Sequence, residues 1–375
     1  MSTFRGFKVR RALAAGVMVA SCGTLVLAQQ KPAPKDPKAD AAAQAAAQAQ
    51  QQEIQNLVRI ADAAMSGQQG PADFPIQFQN DFLRAQGNRV WVPITLTVDP
   101  AKLTSTALTI YLRVVPRGMT APPPPTTPVP ANDKDKKDKD KKKDAKNATP
   151  APPSPSYPFE DAQMFDAKPA PGQPLRILRG IGVPSGNYDL YVVLHERPAS
   201  GAATGKTSVL KQPLDVPNYA NGEFATSSVI LAERVDQLPA PITPDQQSEH
   251  PYAFGQTEIM VSPEHKFKKA QELIVLMQIY NPTLSPEKKF NLEATYTFYR
   301  QDAGTEKRFN ATEPQVFSSD TMGAGFDPSG NSSIQAGQGV PLQSFPEGTY
   351  RLEIKVTDKI STKVLTQNVN FTVTP

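Results

Sequence analysis

The sequence predicts an all-β chain of two tandem antiparallel β-sandwiches, preceded by a signal peptide and a short helix. Two observations carry the prediction. First, Pro184-Ser-Gly186-Asn-Tyr188-Asp-Leu190-Tyr-Val192 recurs as Pro346-Glu-Gly348-Thr-Tyr350-Arg-Leu352-Glu-Ile354. Flanking matches extend the copy: Asp99-Pro100 with Asn281-Pro282 at an offset of 182, Asp161 to Phe165 with Glu313 to Phe317 at 152, Gly186 with Gly348 at 162, and Val209-Leu210 with Val364-Leu365 at 155. The offset changes only across Gly-, Pro-, Ala- or charge-rich stretches, where surface loops accept insertions. Second, both copies consist of short runs of alternating apolar and polar residues between turn-forming clusters.

Arg5, Lys8, Arg10 and Arg11 precede an apolar stretch from Ala12 to Ala28, the pattern of a bacterial export signal and too short for a comfortable membrane span. Val26-Leu-Ala28 before Gln29 fits signal-peptidase cleavage, so residues 1–28 read as a signal peptide. Val19-Ala-Ser-Cys22 offers an alternative, a lipobox in which Cys22 is acylated and begins the mature chain. The expected location is the periplasm, the cell envelope or the exterior, with membrane attachment only if Cys22 is lipidated. Cleavage after Ala28 removes the single cysteine, and with it disulfides, thiolate chemistry and cysteine metal sites.

Residues 29–72 read as a tether and a helix. Lys31 to Asp40 is rich in Pro and Lys, Ala41 to Gln52 is an Ala/Gln tract of high helix propensity, and Ile54, Leu57, Val58, Ala61 and Met65 form one apolar stripe ending at Ser66-Gly67. The first sandwich is expected over 73–217. Ile76 to Phe82 and Val90 to Val98 form a hairpin around a Gly/Asn turn, with Pro93 on an edge or at a bulge, and Leu108 to Val114 alternates again. Residues 120–156 interrupt it with a Lys/Asp block between Pro-rich flanks, which reads as a disordered, solvated spacer. A linker with one candidate strand follows at 218–245, and the second sandwich occupies 246–375 with strands at Leu273 to Tyr280, Leu292 to Tyr299, Tyr350 to Val356 and Val369 to Val373.

The repeated Gly-x-Tyr-x-Leu resembles the opening of the F strand in immunoglobulin-like domains, where a tyrosine hydroxyl returns to nearby backbone two residues before a disulfide cysteine. Gly186, Tyr188, Gly348 and Tyr350 take these structural roles by resemblance, with Leu190 and Leu352 in the cysteine position. The chain also resembles exported bacterial proteins with paired immunoglobulin-like or fibronectin-like sandwich modules, through the stretches at Thr312 and Phe345; that resemblance implies a fold and no activity. The two F strands differ. Arg351, Glu353, Lys355 and Thr357 make a wet outer face in the second copy, whereas Tyr191 and Val193 in the first call for cover by the helix or by the second module.

Composition excludes nucleic acid as a partner. The four unopposed basic residues of the leader equal the whole formal excess of +4, leaving a mature chain near neutrality. No cofactor, metal or catalytic motif is present: there is no His-Glu-x-x-His, Gly-x-Ser-x-Gly, P-loop or dinucleotide fingerprint. His195, His250 and His265 are scattered, Asp320 and Asp327 lie in a Gly-rich loop best read as turns, and Trp91 reads as core before a sugar-stacking platform. The expected function is non-enzymatic, binding or structural, toward a protein or cell-envelope polymer, with the loops Arg197 to Lys206 and Asp358 to Lys363 as candidate contacts. The alternative is a carbohydrate-active or carbohydrate-binding accessory protein.

Overall fold

A computed structural model describes residues 37–120, 156–197, 205–302, 304–323, 326–328 and 332–375. Residues 1–28, expected to be a signal peptide, with Cys22, the start of the expected tether and nearly all of the stretch 120–156 lie outside the described residues. Two compact units divide the chain, residues 1–50 and 51–375.

Helix α1 (Pro37–Met65) is 29 residues long, because the Ala/Gln tract and the amphipathic stripe join without a break. It stops at Gly67, whose φ of 82° is open to glycine at little cost. Gln68 N donates to Ala63 O and Gly67 N to Ala64 O, the paired bonds of a Schellman end. Within the larger unit, Leu57 and Ala61 pack on Tyr111 and Val193, and Met65 packs on Val115 and Tyr191. The helix therefore covers the apolar outer face of the first F strand. Buried Arg113 fixes its rotation through ion pairs to Asp62 and, at 2.8 Å, to Glu160.

The first sandwich comprises β1 (Gln77–Asn80), β2 (Leu83–Arg84), β3 (Arg89–Val98), β4 (Ala107–Pro116), β5 (Phe159–Asp166), β6 (Leu175–Pro184), β7 (Gly186–Glu196) and β8 (Thr207–Val216). One sheet sets β3 between β6 and the broken strand β1/β2, and the other runs β5-β4-β7-β8. Val92, Ile94, Leu96 and Val98 alternate inward against Ile110, Leu112, Leu190 and Val192.

The second sandwich uses β9 (Ala225–Thr226), β10 (Ile230–Gln237), β11 (Ala253–Phe254), β12 (Thr257–Val261), β13 (Lys266–Lys268), β14 (Glu272–Tyr280), β15 (Asn291–Asp302), β16 (Thr305–Ala311), β17 (Gln315–Ser318), β18 (Ile334–Pro341), β19 (Gly348–Asp358) and β20 (Val364–Thr374). Its sheets run β11-β12-β10-β14-β18 and β13-β20-β19-β15-β16, with β9 on β14 and β17 on β15. Strands β9 and β10 thus pair into the second sandwich, inside the stretch 218–245 that reads as a linker with one candidate strand in the sequence.

The pairings β3·β6, β4·β5, β4·β7 and β7·β8 recur as β14·β18, β15·β16 with β17, β15·β19 and β19·β20. Both bodies are immunoglobulin-like in this sense: two sheets, antiparallel except for the short parallel pair β13·β20, with the strand opened by Gly186 or Gly348 central in one of them. Registers refine the sequence offsets. Gly186 pairs with Val216 and Gly348 with Val373, so the last strand aligns at 157 and not 155. In β3 the inward residues are even-numbered and in β14 they are Leu273, Val275, Met277 and Ile279, so the even offset of 182 is out of step there. Short motifs slide easily by a residue, but the pleat does not.

Candidate functional site

The residues carried over by resemblance sit at the start of the F strands. Tyr350 Oη donates to Pro346 O at 2.6 Å, and Tyr188 Oη reaches Ser185 O at 3.3 Å. Gly186 and Gly348 have φ of 151° and 141°, which L side chains rarely adopt, and a Cβ at Gly186 also meets the Tyr188 hydroxyl at 3.0 Å. These groups shape turns and bring no reactive set together.

Chemistry concentrates instead where the two sandwiches meet, and Pro93 begins it. Strand β3 is central, not an edge, and Pro93 faces the break between β1 and β2, where Asp81 N donates to Pro93 O. A proline has no N–H to give, so the neighbouring strand need not continue there. The freed backbone turns to the second sandwich: Phe82 N donates to Ser228 Oγ at 2.9 Å, and Ser228 N to Phe82 O at 3.1 Å. Asp81 Oδ2 accepts from Tyr252 Oη at 2.6 Å. Burial pushes the Asp81 carboxyl up to about 6, against the opposing pull of its bonds from Tyr252 and Ser228.

The same joint holds Trp91, which is neither sandwich core nor an exposed platform. Its ring lies over Gly180, where a Cβ would stand 2.0 Å from Cζ2, and its Nε1 donates to Pro251 O at 2.8 Å. Gly180 N, on the free edge of β6, donates to Ser248 O at 2.7 Å. Leu83, Ile230 and Tyr252 are buried between the bodies, packed by Trp91, Leu178, Ile259, Val261 and Leu276.

At one end of β3, Arg84 N donates to Tyr280 Oη at 2.9 Å, and its guanidinium stacks 4.3 Å from the Tyr280 ring. Toward the other end, Arg176 pairs with Glu264 at 2.5 Å. Strand β14 ends at Tyr280, beside the start of β3, so β3 and β14 run in opposite senses across the joint. The F–G ends of the two sandwiches, where the F strand turns into the last strand (β7 into β8, β19 into β20) beside Glu196 and Asp358, consequently face opposite ways. Of the first candidate contact loop only Arg197, Gly205 and Lys206 are described, and residues 198–204 lie outside the described residues.

The histidines remain apart. His195 Nδ1 meets Thr207 Oγ1 at 2.8 Å, His250 Nδ1 meets Glu258 Oε1 at 2.8 Å, and His265 Nδ1 meets Asn370 O at 3.0 Å. Asp320 is exposed and pairs with Lys289 at 3.3 Å. Among the described residues no three His, Cys, Asp or Glu side chains gather to hold a metal, and no helix is long and apolar enough to cross a membrane. Asp81, Arg84, Tyr252 and Tyr280 escape a motif search. Their signal is indirect: a proline in a strand that both neighbours need, and outward apolar residues such as Leu178 and Leu276 that demand cover.

No family model and no curated protein matches the chain. One solved structure, a calcium binding mutant of Bacteroides uniformis beta-glucuronidase 2, is similar over 80% of this chain and 32% of that one, at 10% identity and a TM-score of 0.24. The chain spans about a third of that protein's length, and a likeness this slight carries no argument about activity.

Proposed function

We propose that this is an exported envelope or secreted protein with a binding or structural role and no reaction of its own, in the manner of the paired-sandwich bacterial proteins it resembles. The observation that supports this reading best is the joint. Backbone bonds, a buried aspartate and an apolar cluster fix two sandwiches with their F–G ends pointing apart, which suits a rigid spacer that engages partners at both ends. Export rests on the leader, with Gln29 or acylated Cys22 as the first mature residue. The alternative is a carbohydrate-active or carbohydrate-binding accessory protein, favoured by the concave polar space that the joint encloses.

Sedimentation of the purified chain with isolated cell envelopes, before and after protease treatment, tests the role. Retention lost on protease treatment points to a protein partner, and retention that survives points to a polymer. No retention in either case contradicts a binding role, and turnover of aryl glycosides favours the alternative.

A further inference from the structure

We propose that the cavity at the joint bounded by Arg84, Asn88, Arg89, Ser185, Tyr219 and Asn281 binds a small oxyanion, the carboxylate or phosphate group of a hydroxylated ligand. The inference adds a ligand class to the role proposed above and rests on the joint, not on export. The cavity encloses about 360 Å³, within the range of small-molecule sites. Neither sandwich forms it alone. Arg84 and the Asn88-Arg89 turn come from the first, Tyr219 from the connecting segment, and Asn281 from the end of β14.

Its charge is unbalanced. The Nη2 of half-buried Arg84 donates to Tyr219 O at 3.1 Å and to Asn281 Oδ1 at 2.5 Å, both neutral acceptors. Its Nε is buried without an acceptor, and no described group accepts from Nη1. Arg89 is exposed and donates to Gly182 O. None of the residues that bound the cavity is acidic. Glu223, the acid of the adjoining segment, accepts from Asn221 Nδ2 at 2.9 Å instead.

Elsewhere acids stand near such groups. Arg113 has Asp62 and Glu160 as ion-pair partners, and Arg179, whose Nε is likewise buried without an acceptor, has Glu249 and Asp161 acting on its charge. Arg84 has neutral acceptors, Tyr219 O and Asn281 Oδ1, and the Tyr280 ring beside it, and burial holds its pKa below the usual arginine value. A role as a strut between modules accounts for the two Nη2 bonds, but not for a second arginine in the same hollow without an acid.

The ligand class follows from the donors. Arg84 Nη1 and the exposed Arg89, bound only through Nη2, offer charged N–H groups that suit carboxylate or phosphate oxygens, and the side chains of Asn88 and Ser185 suit neighbouring hydroxyls. Asn88 and Asn281 both hold positive φ, at 58° and 52°, a conformation that asparagine tolerates better than most residues and that gathers at binding sites.

Calorimetric titration of the full chain at low ionic strength with galacturonate, inorganic phosphate and galactose tests the proposal. Saturable one-to-one binding of galacturonate or phosphate, without binding of galactose, is expected, and which anion binds identifies a carboxylate or a phosphorylated source. Arg89→Gln, whose side chain is exposed, should weaken that binding by roughly tenfold or more. Arg234→Gln, a surface arginine elsewhere, should not. Absence of binding by both anions, equal binding by galactose, or equal loss in the two variants overturns the site. Envelope sedimentation is read separately, so failure here leaves the role above standing.

Discussion

Glu196 and Asp358 occupy the same place in the two sandwiches, ten residues beyond Gly186 and Gly348, and both are fully buried carboxylates. Glu196 accepts from Thr104 N at 2.6 Å and Thr104 Oγ1 at 2.8 Å. Asp358 accepts from Thr283 N and Ile360 N, each at 2.9 Å. Their own N–H groups donate to Lys206 O and Lys363 O. Each sandwich therefore ties the turn after β3 or β14 to the turn after β7 or β19 through one buried acid, a device preserved although the two acids differ in length.

Replacing either acid by alanine should cost about 2 kcal/mol, because the backbone N–H groups it serves are left without an acceptor. For Asp358, burial acts to raise the pKa but is outweighed by hydrogen bonds from Thr283, Ile360 and Ser361, which hold it below the ordinary 3.8. A depressed folded pKa gives stability that is present above about 3.8 and lost as pH falls through the folded value. Urea unfolding should show a gap between wild type and Asp358→Asn that is constant from pH 5 to 7 and narrows below pH 4. A gap that widens in acid contradicts the assignment.

The tyrosine pair should respond unequally. Tyr350→Phe removes a 2.6 Å bond and should cost about 1 kcal/mol, while Tyr188→Phe removes one of 3.3 Å and should cost less. Equal losses in denaturant unfolding contradict the geometry.

Gly180→Ala should loosen the joint. Its Cβ would meet the Trp91 ring at 2.0 Å, and the ring cannot slide while Nε1 is held by Pro251 O. A cost of about 1–3 kcal/mol is expected from such overpacking. Trp91 is the only tryptophan, so its emission reports on this contact alone and should shift to the red. Gly182→Ala, with 3.5 Å to Arg89 Nε, serves as the tolerated control.

Asp81 should make the joint pH-dependent. Its folded pKa of about 6 lies above 3.8, so its contribution is fully present below about 3.8 and is lost as pH rises through 6. Asp81→Asn keeps an acceptor for Tyr252 and removes the buried charge. It should stabilise the protein at pH 8 by on the order of 1 kcal/mol and have little effect at pH 4. The same gain at both pH values shows that the charge is not responsible.

Much of the fold is legible because its signals are local. The copied Gly-x-Tyr-x-Leu, the period-two strands and the helix stripe each use neighbours in sequence, and the apolar outer face of Tyr191 and Val193 announces that something must cover it. The joint is not legible in that way. Leu178, Leu276 and Ile230 look like ordinary strand residues until their facing partners are known, and Trp91 gives no sign that Gly180 lies beneath its ring. The stretch 218–245 gives one candidate strand, but not its place in a sheet: β10 pairs with both β12 and β14, and β9 with β14, more than fifty residues downstream.

The central claim is that two sandwiches of one topology are locked into a single body by this joint. Backbone residual dipolar couplings measured across residues 73–217 and 225–375 in one aligned sample test it most directly. A single alignment tensor should fit both sets with the orientation described here. Separate tensors of different magnitude, indicating sandwiches that reorient independently, contradict it.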